Sequence, residues 1–143
     1  MRPWIYLASP FTFGDNGINV QFQCAIWDQL MNDGLVWPYA PLWNHFQHIL
    51  YPRASGDMIV FDNAIIPKMD ACLRLDAICE KLNYRQHESL GADAEVDLFH
   101  SLNKPVFYSI STMYAWVKRL NYQQRATPRA YTNADLAIGG DHP

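Results

Sequence analysis

The residues Pro3-Trp4-Ile5-Tyr6-Leu7-Ala8-Ser9-Pro10 form a short apolar run that a serine and a proline bring to an end. A run of this length and composition predicts a strand buried on both faces. A loop rich in Gly and Asn follows at 14–17, and then apolar side chains recur at helical spacing from Ile18 to Met31. Gly34, which suits left-handed backbone, ends this helix. A strand followed by a loop and a helix is the unit from which parallel α/β domains are built.

The same alternation continues along the chain. Further strands are predicted at 35–39, 73–79 and 105–108. Helices are predicted at 43–51, where an ordered loop is the alternative, and at 58–69, 91–102 and 111–122, the last with Ser111 or Thr112 as N-cap. This order predicts an α/β fold, a flavodoxin/Rossmann-like three-layer domain with a parallel sheet of four to five strands. The domain is expected to cover residues 1–125, with 126–143 as a polar C-terminal tail.

Composition excludes several classes of protein. Of the 143 residues 50% are apolar and 17% charged, which argues for one folded domain and against disorder. A net charge of −3 gives no basic surface for a nucleic acid polymer. No apolar run is long enough for a membrane span or a signal peptide. Three cysteines without a CxxC pair favour a reduced, cytoplasmic setting, so the expectation is a cytoplasmic protein with no membrane partner.

Polar residues cluster after the predicted strands. In parallel sheets ligands bind beyond the carboxyl ends of the strands. That edge is formed here by Ser9 after the first strand, by 39–48 after the second and by 83–95 after the third. The candidate functional residues are therefore sought in these three segments.

The segment Ser89-Leu90-Gly91-Ala92-Asp93-Ala94-Glu95 combines a hydroxyl, a glycine at the start of a helix and a carboxylate one turn inside it. Backbone N–H groups at a helix start bind anions such as phosphate, and Ser89 adds a donor. The positive end of the helix is expected to favour the ionised form of Glu95, as a nucleophilic carboxylate requires. The alternative is an ordinary capped helix with a surface glutamate.

Tyr6 lies inside the predicted buried strand, so its hydroxyl needs a polar partner. One possible partner is a carboxylate at the end of the strand, which the hydroxyl would orient. The other is a backbone carbonyl, which would make Tyr6 an ordinary core residue.

Taken in order, Ile-Tyr-Leu-Ala-Ser-Pro-Phe at 5–11, Asp76-Ala77, the Ser89–Glu95 segment and Asn-Lys-Pro-Val at 103–106 resemble the nucleoside 2-deoxyribosyltransferase-like superfamily. That group contains nucleoside deoxyribosyltransferases and nucleoside 5′-monophosphate N-glycosidases. The resemblance runs from about residue 3 to residue 108. Each motif alone has low specificity, and their order and spacing carry the resemblance.

The resemblance implies roles for individual residues. Glu95 would be the nucleophile that attacks the anomeric carbon, and Tyr6 would hydrogen-bond and align it. A second acid would protonate the departing base, and Asp62 is preferred over Asp76 and Asp93. Asp76 is a substrate-binding candidate, with a structural role at the end of its strand as the alternative. Carboxylate displacement of this kind needs no metal and no cofactor.

Ser89 and Gly91 indicate the class of substrate. At the position of Ser89 the chain resembles the nucleotide hydrolases of the superfamily, which have a serine there that contacts the 5′-phosphate. The transferases of the superfamily carry an aspartate at this position. The chain departs from the hydrolases after the first strand, where it has Ser9 and Thr12 but no arginine. Ser9, Thr12 or Arg85 would have to contact the phosphate instead.

The segment after the second strand is where the superfamily places the nucleobase. Trp43 or Phe46 would stack on the base and His45 would bond to its edge. The pair His45 and His48 lacks a third ligand of suitable spacing, so no metal is expected. The resemblance also implies a homodimer or higher homo-oligomer.

The sequence therefore predicts an N-glycosidase that hydrolyses a (deoxy)nucleoside 5′-monophosphate to free base and sugar phosphate. A nucleoside 2-deoxyribosyltransferase that exchanges bases is the first alternative. A nucleotide-binding module without catalysis is the second.

Overall fold

Four parallel strands form one sheet in the computed structural model, which describes residues 1–11, 16–75 and 89–126. In chain order the strands are β1 (Trp4–Ala8), β2 (Trp37–Tyr39), β3 (Ala71–Arg74) and β4 (Val106–Phe107). Their order across the sheet is β2-β1-β3-β4, so β1 and β3 occupy the centre. This arrangement confirms the predicted α/β fold with a parallel sheet.

Five helices connect and cover the strands in the described part of the chain. They are α1 (Asn16–Asp33), α2 (Asn44–Leu50), α3 (Ser55–Ile65), α4 (Leu90–Ser101) and α5 (Ile110–Ala126), with 3₁₀ turns at Pro41–Trp43 and Ile66–Lys68. No helix within the described ranges is both long and apolar enough to cross a bilayer. Residues 127–143, most of the predicted tail, lie outside the described residues.

The ends of the helices follow local chemistry. α1 stops where Gly34 adopts a φ of 68°, and the Gly34 N–H reaches the Leu30 carbonyl at 3.2 Å. α3 changes to a 3₁₀ turn before Pro67, which has no N–H to continue an α-helix. α5 begins earlier than expected, because Ser109 Oγ accepts the Thr112 N–H at 3.3 Å. The predicted caps Ser111 and Thr112 are therefore inside the helix.

The sheet separates two cores, as expected for three layers. Ile5 and Leu7 of β1 face one core, which α1 and α5 cover with Leu30, Met113 and Val117. Tyr6 and Ala8 alternate to the opposite face, where α4 packs with Ala92, Val96 and Phe99. The third strand begins two residues earlier than predicted, because β3 starts at Ala71 and not at Leu73. Cys72 of this strand packs in the core that contains Tyr6.

Candidate active site

Tyr6 and Glu95 meet at the centre of the sheet. Tyr6 is fully buried in β1, and its hydroxyl donates a hydrogen bond of 2.7 Å to Glu95 Oε1. The Tyr6 ring is held between those of Tyr39 and Phe99, each with its centroid 5.7 Å away. The structure thus selects the carboxylate over a backbone carbonyl as the partner of the Tyr6 hydroxyl.

Helical spacing brings Glu95 to this position. It lies three residues after Ala92 and four before Phe99, both buried against the sheet, so all three share one face of α4. Glu95 is accordingly half-buried rather than exposed on the outer surface of the helix. An ordinary surface glutamate, the alternative left open by the sequence, does not describe this residue.

Burial sets the protonation of Glu95. Loss of solvent, together with a smaller effect of the nearby charge of Asp62, raises the pKa of Glu95 to about 7. The Tyr6 hydrogen bond and the Arg74 cation act in the opposite direction. The sequence-based expectation that the helix start favours ionised Glu95 is therefore wrong. Glu95 lies beyond the first turn, where the helix dipole has faded, and desolvation dominates.

Asp62 completes a group of acids on this side of the sheet. It lies on α3, and its Oδ1 is buried without a hydrogen-bond partner among the described residues. Burial raises the pKa of Asp62 to about 6. The charge of Asp62 also raises the pKa values of Tyr6 and Tyr39, so these side chains share one electrostatic environment. A carboxyl with this pKa gains and loses its proton close to neutral pH, as a group that acts first as an acid and then as a base must.

Tyr39 belongs to the same group, although sequence reasoning did not select it. It is paired in register with Tyr6, and its position at the carboxyl end of β2 was the available signal. Burial is the main cause that raises the pKa of Tyr39, and the charges of Asp62 and Glu95 add to it. The Tyr39 hydroxyl therefore stays protonated as a potential donor beside the two carboxyls.

Arg74 ties the end of β3 to the start of α4. Its guanidinium is almost fully buried and donates to Asp93 Oδ1 from Nε at 3.2 Å and from Nη2 at 3.0 Å. Its Nη1 donates to the Leu75 carbonyl at 2.6 Å. Asp93 was a candidate for the second acid, but its carboxylate is paired with Arg74 and has a structural role. Arg74, which interrupts an apolar run in the sequence, is the cation that neutralises it.

Ser89 is the N-cap of α4. Its Oγ accepts the Ala92 N–H at 3.4 Å, and its own N–H donates to Asp93 Oδ2 at 3.0 Å. The Ser89 hydroxyl donates no hydrogen bond to any of the described residues. A Cβ placed on Gly91 would meet no atom within 4 Å, so packing of the described residues does not demand glycine there. Asp76, Thr12 and Arg85 lie outside the described residues.

Ser9 is fixed by a residue that the sequence did not identify. Gln23 of α1 is fully buried, and its Nε2 donates to Ser9 Oγ at 2.8 Å and to the Leu7 carbonyl at 2.9 Å. Its Oε1 accepts the Leu42 N–H at 2.9 Å. Ser9 Oγ is therefore the acceptor in this bond, and its hydroxyl donates to none of the residues that the structure describes. Gln23 occupies a position at which the helical repeat of α1 places buried residues. A polar residue at such a position was the sequence signal for a buried polar side chain.

The predicted base-contacting residues lie around α2. Trp43 is 65% exposed, and its ring lies 5.5 Å from that of Phe46. His45 packs edge-on against Phe11 at 5.1 Å, and its buried Nδ1 has no hydrogen-bond partner in the described part of the chain. Within residues 1–11, 16–75 and 89–126, no three His, Cys, Asp or Glu side chains are grouped to hold a metal.

Comparison with protein-family models, with curated proteins and with solved structures yields no match. The chemistry of Tyr6, Asp62 and Glu95 is therefore the basis for assigning a function. A buried carboxylate that a tyrosine orients, with a second protonatable carboxyl nearby, can attack an electrophilic carbon and donate a proton to a leaving group.

Proposed function

We propose that the protein is an N-glycosidase of (deoxy)nucleoside 5′-monophosphates that uses Glu95 as its nucleophile, as in the nucleoside 2-deoxyribosyltransferase-like superfamily that its motifs resemble. The observation that carries this proposal is the 2.7 Å hydrogen bond from Tyr6 to Glu95 at the centre of a parallel sheet. Asp62, with its unpaired buried oxygen, supplies the second carboxyl that glycosidic cleavage requires.

The reaction proceeds in two displacements. A Glu95 oxygen attacks the anomeric carbon, the bond from that carbon to the base nitrogen breaks, and its electron pair leaves with the base. Asp62 donates its proton to the departing base. Water then attacks the anomeric carbon of the glycosyl ester and gives a proton to the Asp62 carboxylate. The products are free base, sugar phosphate and ionised Glu95.

Tyr6 keeps Glu95 in position through both displacements. Burial raises the pKa of Tyr6 far above its usual value, so the hydroxyl remains a donor throughout. A donor to Oε1 stabilises the carboxylate and fixes its rotamer, which leaves Oε2 free to aim at the sugar. Tyr6 also lowers the pKa of Glu95, against the effect of burial.

The start of α4 is the proposed site for the 5′-phosphate. Backbone N–H groups at the start of a helix bind anions, and the hydroxyl of the N-cap Ser89 would add a donor. The Ser9 hydroxyl, held by Gln23, follows β1 at the same edge of the sheet. Trp43 and His45 of the adjoining segment would contact the base.

A homo-oligomer is part of the proposal. None of the residues 55–65 of α3 is fully buried, and Ile59, Val60 and Phe61 of this helix are each about half or more exposed. α2 likewise lacks a buried residue within 44–50 and exposes Ile49 and Leu50. Apolar side chains exposed in this way favour contact with another subunit. Asp62 lies on α3, so such a contact would also order the proposed acid.

The direct test is release of free base. The protein would be incubated with a panel of nucleoside monophosphates and of nucleosides, each with and without a second base as acceptor. Glu95→Gln is the test variant, and Asp97→Asn, on the exposed side of the same helix, is the matched control. Base released from a monophosphate by the control but not by Glu95→Gln is the expected result.

Other outcomes would replace the proposal. A new nucleoside that forms only with an acceptor present would identify a deoxyribosyltransferase. Binding of a monophosphate without any release of base would identify a nucleotide-binding module. Release that persists in Glu95→Gln would remove Glu95 from the mechanism.

A further inference from the structure

A pocket of about 360 Å³ lies beside β2, at the edge of the described sheet, between α1 and the chain that follows the strand. The described residues that line it are Cys24, Trp27, Pro38, Tyr39, Ala40, Trp43 and Asn44. They do not include Tyr6, Asp62 or Glu95. Tyr39 is the wall that this pocket shares with the candidate active site, since its ring also contacts that of Tyr6.

The walls of this edge pocket are mainly aromatic and apolar. Trp27 and Trp43 contribute indole rings, and Pro38 and Ala40 contribute aliphatic surface. The Trp27 Nε1–H is not available to a ligand, because it donates to the Pro38 carbonyl at 2.9 Å. No charged side chain is found among the described lining residues. A neutral ring with flat faces suits these walls, whereas an ion would lose its hydration without compensation.

Asn44 provides one polar contact in the edge pocket. Its Nδ2 is buried and has no described partner at ordinary hydrogen-bond geometry, and only a weak hydrogen bond from this amide to the Tyr39 hydroxyl lowers the pKa of that hydroxyl. A buried donor without a partner costs free energy that a ligand acceptor would recover. The amide nitrogen carries two hydrogens, so a ligand can bond to it while Tyr39 stays beside it.

We propose that the edge pocket binds a neutral planar heteroaromatic molecule of one or two fused rings, which accepts a hydrogen bond from Asn44 Nδ2 at its edge. The volume is that of a small-ligand site, the walls match the two faces of a ring, and the unpaired amide selects an acceptor. Trp43, which is also proposed to contact the base, is one of its walls, whereas Tyr6, Asp62 and Glu95 are not. Binding here can therefore be measured whether or not Glu95 cleaves a glycosidic bond.

Cys24 gives a direct readout, because its partly exposed thiol lines the pocket. The rate of alkylation of Cys24 by iodoacetamide would be measured in a Cys79→Ser background, at alkaline pH because burial raises the pKa of this thiol. Quinoline, whose ring nitrogen only accepts, is compared with indole, whose N–H only donates. Quinoline is expected to protect Cys24 at concentrations roughly five to ten times lower than indole does.

Two variants test separately how the Asn44 hydrogen bond and the volume of the pocket contribute to binding. Asn44→Leu keeps the approximate size of the side chain but removes the donor, so the difference between quinoline and indole should disappear. Cys24→Phe fills the pocket and should abolish the saturation-transfer NMR signal of quinoline while the far-UV circular dichroism remains native. If Cys24→Phe is not folded, Cys24→Met tests the same loss with less added volume.

Three results would overturn the proposal. The first is an alkylation rate of Cys24 that neither quinoline nor indole changes. The second is equal protection by both compounds in the protein that retains Asn44. The third is a quinoline signal that persists unchanged in the folded variant with the filled pocket.

Discussion

The two faces of β1 differ in what they bury. On one face Ile5 and Leu7 belong to an apolar core that side chains of α1 and α5 complete. On the other face Tyr6 lies beside Glu95, with Asp62 close enough for its charge to act on both. The first face gains stability from burial, whereas the second keeps ionisable groups out of water at a cost in stability. Adjacent residues of one strand can therefore serve the fold and the proposed chemistry separately.

Removing the Glu95 carboxylate, on the face of β1 that carries Tyr6, should have the largest effect on base release. In Glu95→Gln the amide retains the shape of the side chain but lacks nucleophilic charge. If the proposed mechanism holds, base release should fall by roughly 10⁴-fold, as for the loss of other nucleophiles. Steady-state assays with Asp97→Asn as control would measure it, and a fall below tenfold would contradict a covalent role for Glu95.

Truncation on the apolar face should act on stability instead. Leu7→Ala removes a fully buried side chain from the core beneath α1 and α5. We expect a loss of about 2–5 kcal/mol in the free energy of unfolding, with little change in activity per folded molecule. Urea denaturation followed by circular dichroism gives the first quantity. A loss of activity at conditions where the variant is fully folded would show that the two faces are coupled.

The free-energy cost of burying Glu95 on the face of β1 that carries Tyr6 should depend on pH. The pKa of Glu95 is raised in the folded state to about 7, so the protein loses stability as pH rises from the usual glutamate pKa through 7. Glu95→Gln carries no such charge, and its free energy of unfolding relative to the natural protein should improve by about 3 kcal/mol between pH 4.5 and pH 8. Thermal unfolding of both proteins at each pH tests this, and an equal difference at both values would contradict it.

Two substitutions should move the protonation of Glu95 in opposite directions. Tyr6→Phe removes a hydrogen bond that lowers the pKa of Glu95, so this pKa should rise. Asp62→Asn removes a charge that raises the same pKa, so it should fall. Shifts of about one pH unit or less are expected. Because Asp62 is also the proposed acid, the Glu95 carboxyl is titrated directly by carbon-13 NMR rather than through activity, and shifts of the same sign would refute the assigned interactions.

Much of the framework follows from local sequence. The apolar run at 3–8 predicts a buried central strand, and Gly34 predicts the end of α1, because both depend on a few neighbouring residues. The order of polar segments after strands also indicated the edge where Tyr6 and Glu95 lie. That these two side chains meet required the resemblance of several motifs, since they are far apart in the chain.

Other features depend on contacts that no local pattern reveals. Arg74 interrupted an apolar run, yet its buried pairing with Asp93 could not be read without the position of α4. The direction of the pKa shift of Glu95 was predicted wrongly from the helix start, because it depends on burial by other elements. The unpaired amide of Asn44 and its surrounding pocket likewise arise from α1 and β2 together.

The hydrogen bonds of Gln23 have a consequence for how the molecule opens. Its fully buried amide joins the end of β1 to the backbone of Leu42 in a short 3₁₀ turn. A turn of three residues would ordinarily fray on its own, and its amide protons would exchange rapidly with solvent. Leu42 should instead exchange about as slowly as the central strands, because releasing its N–H requires the buried amide to lose its partner. The segment after β2 would then unfold with the sheet as one cooperative unit.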